Sequence, residues 1–261
     1  MDAGSAPIAV VTGGAGSIGR SVVARLAARG YRVAVIDIDA DRIASVLAPL
    51  EGDHLALAGD LTDGRFTERV GAELAARGLI TALVNVAGIS PKGAQGKIQF
   101  DEITWDEFRR VLEVNTLAPF FLIQQLAPHM PGDGSAAIVN ILSIAARMST
   151  GGPRGASYPP HIASALHYGA SKAALHNLQT GLARELAPRR IRVNGVAPGF
   201  IASEMTVNIP GAERELVVND IPWGRPGTPD EIAAAVEFLV SPDASYLTGA
   251  VIDVNGGWLP A

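Results

Sequence analysis

The chain contains no cysteine. Disulfides and thiolate metal sites are excluded with it, and no other metal site is expected. Long basic runs are missing too. Lys and Arg number 21 against 26 Asp and Glu, a formal net charge of -5, which makes nucleic acid and anionic membranes poor partners. No apolar stretch reaches the length of a membrane span. The opening residues, MDAGSAPIAVV, lack a basic region followed by a long apolar segment, so no signal peptide is expected. These absences suit a cytoplasmic protein.

What is present is apolar material for a substantial core. The 261 residues are 48% hydrophobic and 18% charged, which disfavours disorder. Such a length allows one large α/β domain or two small ones. No repeat, low-complexity tract or linker divides the chain, so a single domain over residues 1–261 is the simplest organisation.

Short apolar runs alternate with helical periodicity. Strands are predicted at 7–12, 32–37, 54–58, 81–86, 136–142, 191–197 and 249–254, and helices at 17–29, 40–50, 65–77, 104–129, 164–187 and 229–240. The strands are β-branched and apolar on both faces, as when helices cover both sides of a parallel sheet. The alternation predicts an α/β, Rossmann-type, doubly wound sheet of seven parallel strands. Thr228-Pro229-Asp230-Glu231 makes a good helix start, with a cap hydroxyl, a proline at the first position and a glutamate three residues after the cap. Segments 88–103, 144–163 and 199–227 break the rhythm, and long connections of this kind are often functional.

Ligands of open parallel sheets bind beyond the carboxyl ends of the strands. There the first strand runs into TGGAGSIG at 12–19. Gly14, Gly16 and Gly19 spell G-x-G-x-x-G. Gly13, Gly16 and Gly19 spell G-x-x-G-x-x-G. Thr12, Gly13 and Gly19 fit T-G-x-x-x-G-x-G if Ser17 replaces the middle glycine. Such glycines let backbone approach a pyrophosphate, and the helix start supplies N–H donors. Asp37 ends the second strand about 20 residues beyond the loop, where a carboxylate accepts from both adenosine ribose hydroxyls. It would repel the 2′-phosphate of NADP, and Ile38 and Asp39, not Arg or Lys, follow it. NAD is therefore the expected cofactor. Asp60, after the third strand, reads as an adenine-side ligand or as a helix cap.

Tyr168 and Lys172 share one helix face. A neighbouring ammonium favours phenolate, so Tyr168 is expected to have a lowered pKa and to serve as general acid/base. With its company the pair resembles the short-chain dehydrogenase/reductase family, in its short single-domain branch. The resemblance spans nearly the whole chain. Its motifs are TGGAGSIG, Asp37, Asp60, NVAG at 85–88, Asn115 within VLEVNTLAPFF, Ser143, YGASK at 168–172, the Pro198-Gly199 pair and YLTGAVIDVNGGW at 246–258.

The resemblance implies a catalytic tetrad of Asn115, Ser143, Tyr168 and Lys172. Tyr168 would exchange a proton with the substrate oxygen and Ser143 would hydrogen-bond that oxygen. Lys172 would hold the nicotinamide ribose, and Asn115 would position a water in a proton relay. NAD would lie along Gly13, Gly16, Ser17, Ile18 and Gly19, then Asp37 and Ile38, Asp60 and Leu61, and Asn85, Ala87 and Gly88. Tyr168, Lys172, Pro198, Gly199, Ile201 and Ser203 would complete its contacts. A homotetramer is implied as well; Ala170, Ala173 and Ala174 would let helices pack closely.

Some residues depart from the family pattern. Ser17 stands where glycine is usual, and its hydroxyl would cap the helix or bond a pyrophosphate oxygen. Val86 replaces a second asparagine. Ser203 stands where a threonine is frequent. Ser143 and Tyr168 are 25 residues apart, so an insertion must loop out between them. Substrate-side candidates are Met148, Tyr158, His161 and His167, then Ser90, Pro91, Lys92 and Gln95, and Glu204, Met205 and Trp223. GISPKG at 88–93 resembles members acting on small polyols and related ketones, which makes a small secondary alcohol or polyol the expected substrate. The alternatives are a 3-oxoacyl-carrier-protein reductase, disfavoured by Asp37, a non-catalytic NAD(H)-sensing regulator, disfavoured by the intact tetrad, and the longer epimerase branch.

Overall fold

Alternation at period two decides which layer each strand residue enters. In the computed structural model, which describes residues 6–94, 96–148, 150, 152–153 and 159–259, strand β1 (Ile8–Thr12) sends Ala9 and Val11 into one apolar layer and Ile8 and Val10 into the other. Strand β2 (Arg32–Asp37) does the same with Val33 and Val35 against Ala34 and Ile36. With β3 (Leu55–Ala58), β4 (Ile80–Asn85), β5 (Ala137–Ile141), β6 (Arg192–Pro198) and β7 (Val251–Val254) they form one parallel sheet ordered β3-β2-β1-β4-β5-β6-β7. The predicted seven-stranded doubly wound sheet is observed.

One layer is closed by α1 (Ser17–Ala28), α2 (Ala40–Leu47) and α8 (Pro229–Val240), through Val22, Leu26, Ile43, Ile232 and Val236. The other is closed by α3 (Gly64–Arg77), α5 (Ala118–Leu126) and α6 (Leu166–Leu186), through Phe66, Leu74, Leu122, Leu126 and Ala183. Between α3 and α5 lies α4 (Trp105–Leu112), and α7 (Gly211–Asn219) lies in the long connection after β6. No helix among the described residues is long and apolar enough to cross a membrane.

Two features differ from the sequence expectation. The edge strands are not covered on both faces: β3 exposes Ala56 and Ala58, and β7 is half-buried throughout. The single helix expected over 104–129 is four segments. A π turn at Glu113–Leu117 separates α4 from α5, and a 3-10 turn at Ala127–His129 ends the run. Nothing in an apolar period distinguishes a π turn from an α turn, since it inserts without a break in composition. The start of α8 is as read: Thr228 caps the Glu231 N–H, and the Glu231 carboxylate accepts from the Thr228 N–H at 2.7 Å.

The other end of α8 is held by a buried cation. Arg192, the first residue of β6, is buried, and its guanidinium donates to the carbonyls of Leu239 (2.6 Å), Ala244 (3.1 Å), Val240 (3.4 Å) and Ser241 (3.2 Å). The Leu239 and Val240 carbonyls lie in the last turn of α8, which a helix end leaves without intrahelical partners, while those of Ser241 and Ala244 also accept from the N–H groups of Ala244 and Leu247. Arg192→Met is expected to cost about 3 kcal/mol of stability by orphaning the first two and loosening the turn. Chemical denaturation measures it, and a loss within error would show that water replaces the guanidinium freely.

Candidate active site

The strand order reverses between β1 and β4, and ligands of such sheets bind in the crevice at that switch point. The buried Thr12 hydroxyl accepts from the N–H groups of Val86 (3.1 Å) and Ala87 (3.2 Å), tying the end of β1 to the chain leaving β4. Gly13 turns away at φ +60°, and a Cβ there would stand 2.8 Å from the Ala87 backbone. A Cβ on Gly19 would lie 2.0 Å from the Gly13 carbonyl oxygen, whereas one on Gly16 would meet nothing closer than 3.4 Å. The steric demands thus select the register of Thr12, Gly13 and Gly19.

The crevice measures about 720 Å³, within the usual range for cofactor sites. Gly13, Gly16, Ser17, Ile18, Gly19, Asp37, Ile38, Asp60, Leu61, Ala87, Gly88 and Ser203 line it. Helix α1 starts behind Gly16 with no side-chain cap and no acidic residue in its first turn. Its free N–H groups and dipole suit a phosphate. Asp37 is fixed by the N–H groups of Ala15 (3.0 Å) and Ile38 (2.8 Å). A dinucleotide fits this set of donors, carboxylate and volume. Asp60 does not cap α3, which Asp63 does. It accepts from Thr62 at 2.9 and 2.8 Å and from Arg110 at 3.0 Å. Burial alone would raise its pKa, but these hydrogen bonds outweigh it and the net shift is downward. Six expected cofactor contacts do not line the crevice, two of them, Tyr168 and Lys172, being catalytic candidates. Asn85 is buried in the sheet and donates to Asn140 at 2.9 Å, Pro198 and Ile201 are buried, and Gly199 lines a second cavity.

Ser17 does not cap α1, and it lines the crevice. Its hydroxyl accepts from the Glu204 N–H at 3.0 Å, across 187 residues of chain. The Glu204 carboxylate then meets Arg20 of α1 at 2.6 Å and Arg42 of α2 at 2.6 Å. Arg42 also donates to the Ala15 carbonyl at 3.0 Å. The segment after β6 is therefore clasped to both helices beside the crevice, which Arg42 and Glu204 line. Arg42 and Arg110 are crevice residues that the sequence reading missed. Both lie on helices, out of register with the strand ends where ligands were sought.

The catalytic candidates converge on the same region. Asn115 sits in the π turn, fully buried. Its amide accepts from the Ile89 N–H (2.8 Å) and donates to the Ile89 carbonyl (2.9 Å) and to the Ser171 hydroxyl (2.9 Å). Ser171 donates in turn to the Tyr168 carbonyl at 2.7 Å. Lys172 is buried and donates to the Ile141 carbonyl at 2.8 Å. A Cβ on Gly88 would come within 3.2 Å of Asn115 Oδ1 and 3.4 Å of Lys172 Nζ; only glycine leaves that space open. Burial pulls the Lys172 ammonium down to about 8. Burial also pushes the Tyr168 phenol up, opposed only by its hydrogen bond with Ser143. The expected lowering of Tyr168 by Lys172 is thus corrected: desolvation outweighs it here. The long insertion leaves Ser143 and Tyr168 on the wall of one cavity, the Ser143 hydroxyl accepting from the Ala145 N–H at 3.1 Å.

Tyr168 and Ser143 line a second, smaller cavity of about 80 Å³, together with Ser90, Lys92, Met205 and Trp258. The other substrate-side candidates separate. His161 binds Asp220 through its ring at 2.9 Å and fastens the insertion to the end of α7. His167 is wholly buried against Phe108, their ring centroids 6.0 Å apart. Trp223 is exposed beside Arg225. Pro91 and Glu204 line the larger crevice, and Met148 lines neither space. Tyr158 and Gln95 lie outside the described residues. Among the described residues no group of acidic or histidine side chains is placed to hold a metal ion.

Comparison with known proteins agrees with this geometry. A family model described as enoyl-(acyl carrier protein) reductase matches residues 13–259. Galactitol 2-dehydrogenase (L-tagatose-forming) of Cereibacter sphaeroides is 37% identical over 96% of this chain and 94% of its own. A 3-oxoacyl-[acyl-carrier-protein] reductase of Thermotoga maritima is 34% identical over 96% of both chains. The crystal structure of a 3-oxoacyl-[acyl-carrier protein] reductase from Brucella melitensis superposes with a TM-score of 0.85 at 32% identity, covering 97% of this chain and 92% of that one.

The Glu204 clasp makes a kinetic prediction. Glu204→Gln is expected to speed release of reduced nicotinamide dinucleotide about fivefold at low salt, the scale of two exposed ion pairs, and the difference shrinks as salt screens them. Stopped-flow fluorescence measures the release rate; equal rates in both proteins would leave the clasp without any hold on the crevice.

Proposed function

Since the chain belongs to the short-chain dehydrogenase/reductase family, whose members use a nicotinamide cofactor, we propose that it is an NAD-dependent dehydrogenase of small secondary alcohols or polyols and their ketones. The carrying observation is that Tyr168 and Ser143 border the small cavity while Lys172, one helical turn along, reaches the rim of the dinucleotide crevice at Gly88. When bound, nicotinamide supplies the acceptor or donor of hydride.

The protein's own part is proton handling and orientation. Ser143 stands with the phenol on the cavity wall, where its hydroxyl hydrogen-bonds the substrate oxygen. Burial keeps Tyr168 protonated in the free protein, ready to donate to a carbonyl oxygen in reduction; in oxidation it accepts the alcohol proton. Lys172, brought to about 8 by burial, changes charge near neutral pH and is suited to pass a proton on. Asn115 holds the Ile89 strand end and α6 together through three hydrogen bonds, which keeps Gly88 and Lys172 in place.

Asp37 supports NAD over NADP. Its carboxylate is immobilised on the crevice wall, and a dianionic 2′-phosphate beside it is repelled. Arg42, the nearby cation, is already engaged by Glu204 and Ala15. The galactitol dehydrogenase relative supports the polyol reading. The assembly we read as a tetramer, on the exposed apolar side chains of Leu117, Phe121 and Leu166.

Two experiments test this reading. Tyr168→Phe is expected to lower kcat at least about a thousandfold while NADH still binds, because proton transfer is lost and the crevice is not; turnover near the wild-type rate would remove the mechanism. With NAD, kcat/KM is expected to exceed that with NADP at least about tenfold, and Asp37→Ala to erase the difference. Preference for NADPH together with turnover of acyl thioesters would instead establish the carrier-protein reductase reading.

A further inference from the structure

The cavity beside Tyr168 holds more hydrogen-bond donors than the protein itself satisfies. Lys92 is the one charged residue among the described residues that line it. Its ammonium donates to the Ala163 carbonyl, which leaves two of its three N–H bonds to be placed. Ser90 and Trp258 line the same cavity. The Ser90 hydroxyl and the Trp258 indole N–H are buried and find no hydrogen-bond partner among the described residues. Buried polar groups are as a rule satisfied, so a cluster of orphans around one empty volume points to an acceptor that comes from outside.

The chemistry of that acceptor is constrained. Burial disfavours the Lys92 charge, and Lys97 adds to this; Glu213 opposes both. Glu213 is not among the lining residues, so the charge facing the cavity is positive. The remaining wall is apolar, with Phe200, Ile209 and Val217. A hydrocarbon alcohol satisfies none of the three donors. A polyol brings hydroxyl protons of its own, each needing an acceptor. An ionised carboxylate is acceptor-only, with two oxygens and about four lone-pair sites, and it neutralises the ammonium.

We propose that the substrate carries a carboxylate, held by Lys92, Ser90 and Trp258, beside the hydroxyl or carbonyl addressed by Tyr168 and Ser143: a small hydroxy acid and its oxo acid. The carboxylate is a handle and takes no part in bond making. The volume of about 80 Å³ restricts the compound to a few carbons. The inference rests on the dehydrogenase reading above and narrows it to an anionic member of the secondary alcohols. Lys92 and Trp258 become specificity residues, 166 positions apart in the chain.

The test compares short 2- and 3-hydroxy acids with their methyl esters and with neutral diols, all with NAD. Wild-type enzyme is expected to favour at least one acid over its ester about tenfold or more in kcat/KM, the scale of one charge-assisted hydrogen bond. Lys92→Met is expected to remove that preference mainly through KM for the acid, Lys92→Arg to keep part of it, and Trp258→Phe to reduce it about threefold. NADH affinity and thermal melting of each variant report whether it is folded. An acid-to-ester ratio near one in wild type, or a ratio unchanged in folded Lys92→Met, overturns the carboxylate handle; turnover of the esters or diols then still upholds the dehydrogenase. Absence of NAD-linked turnover with every compound overturns both.

Discussion

The parting of β1 and β4 at their carboxyl ends is the constraint on which the rest of the site depends. Up to Thr12 and Asn85 the two strands are paired. Beyond them the chains must separate to make a crevice, yet stay close enough for one cofactor to touch both. The Thr12 hydroxyl sets that distance by accepting from two consecutive N–H groups of the β4 exit, and the missing side chain of Gly13 lets the glycine loop lie directly against Ala87. A larger residue at position 13 would push the loop off β4. The α1 N-terminus and the Gly88 end of the crevice would then no longer face one ligand. The Thr12 hydroxyl itself is buried, so its loss would leave two N–H groups of the β4 exit to find another acceptor.

At the far end of the crevice burial does the electrostatic tuning. Lys172 lies on α6 and donates to the carbonyl that ends β5, a contact that a charged or a neutral amine can both make. Desolvation therefore has little to oppose it, and the ammonium falls to about 8. Tyr168, one turn earlier, feels the same desolvation with the opposite sign, because its charged form is the deprotonated one. The same burial thus moves the two groups apart, the phenol up and the amine down, so that in the free protein the phenol holds its proton while the amine gives one up more readily. The π turn at Asn115 belongs to the same arrangement. It spends a regular helical turn to point one amide at both Ile89 and Ser171, and single π turns of this kind recur at functional sites.

What was legible in the chain was whatever is written in local period and in short motifs. The strands were found because most of their residues are apolar or β-branched on both faces and turn residues bound them. The glycine loop admitted three registers from its own residues, and the choice among them needed the contacts of Gly13 and Gly19. The Thr228 cap could be read from four consecutive residues. What escaped was set by contacts between distant positions. Ser17 offered two local readings, a cap and a phosphate ligand; it is not the cap, and its hydroxyl accepts from Glu204, which reaches it from the segment after β6. Arg42 and Arg110 looked like solvated helix residues until α2 and α4 laid them along the crevice. The lowered pKa anticipated for Tyr168 came from counting one neighbour and not the burial around it. His167 drew notice for standing beside Tyr168 in sequence, but on a helix adjacent residues face different ways, and it packs on Phe108 instead.

The two spaces of the site are not independent. Ser90 and Met205 border both the crevice and the small cavity. Met205 directly follows Glu204, the residue clasped to α1 and α2, and Thr206 secures the same turn by donating to the Ile201 carbonyl at 2.6 Å. One short segment therefore forms the lip of the crevice with one residue and a wall of the cavity with the next. The backbone that carries the clasp therefore also carries a wall of the cavity, so the two spaces share one short turn as well as the sheet. The sheet itself, buried on both faces through its five inner strands, is close-packed.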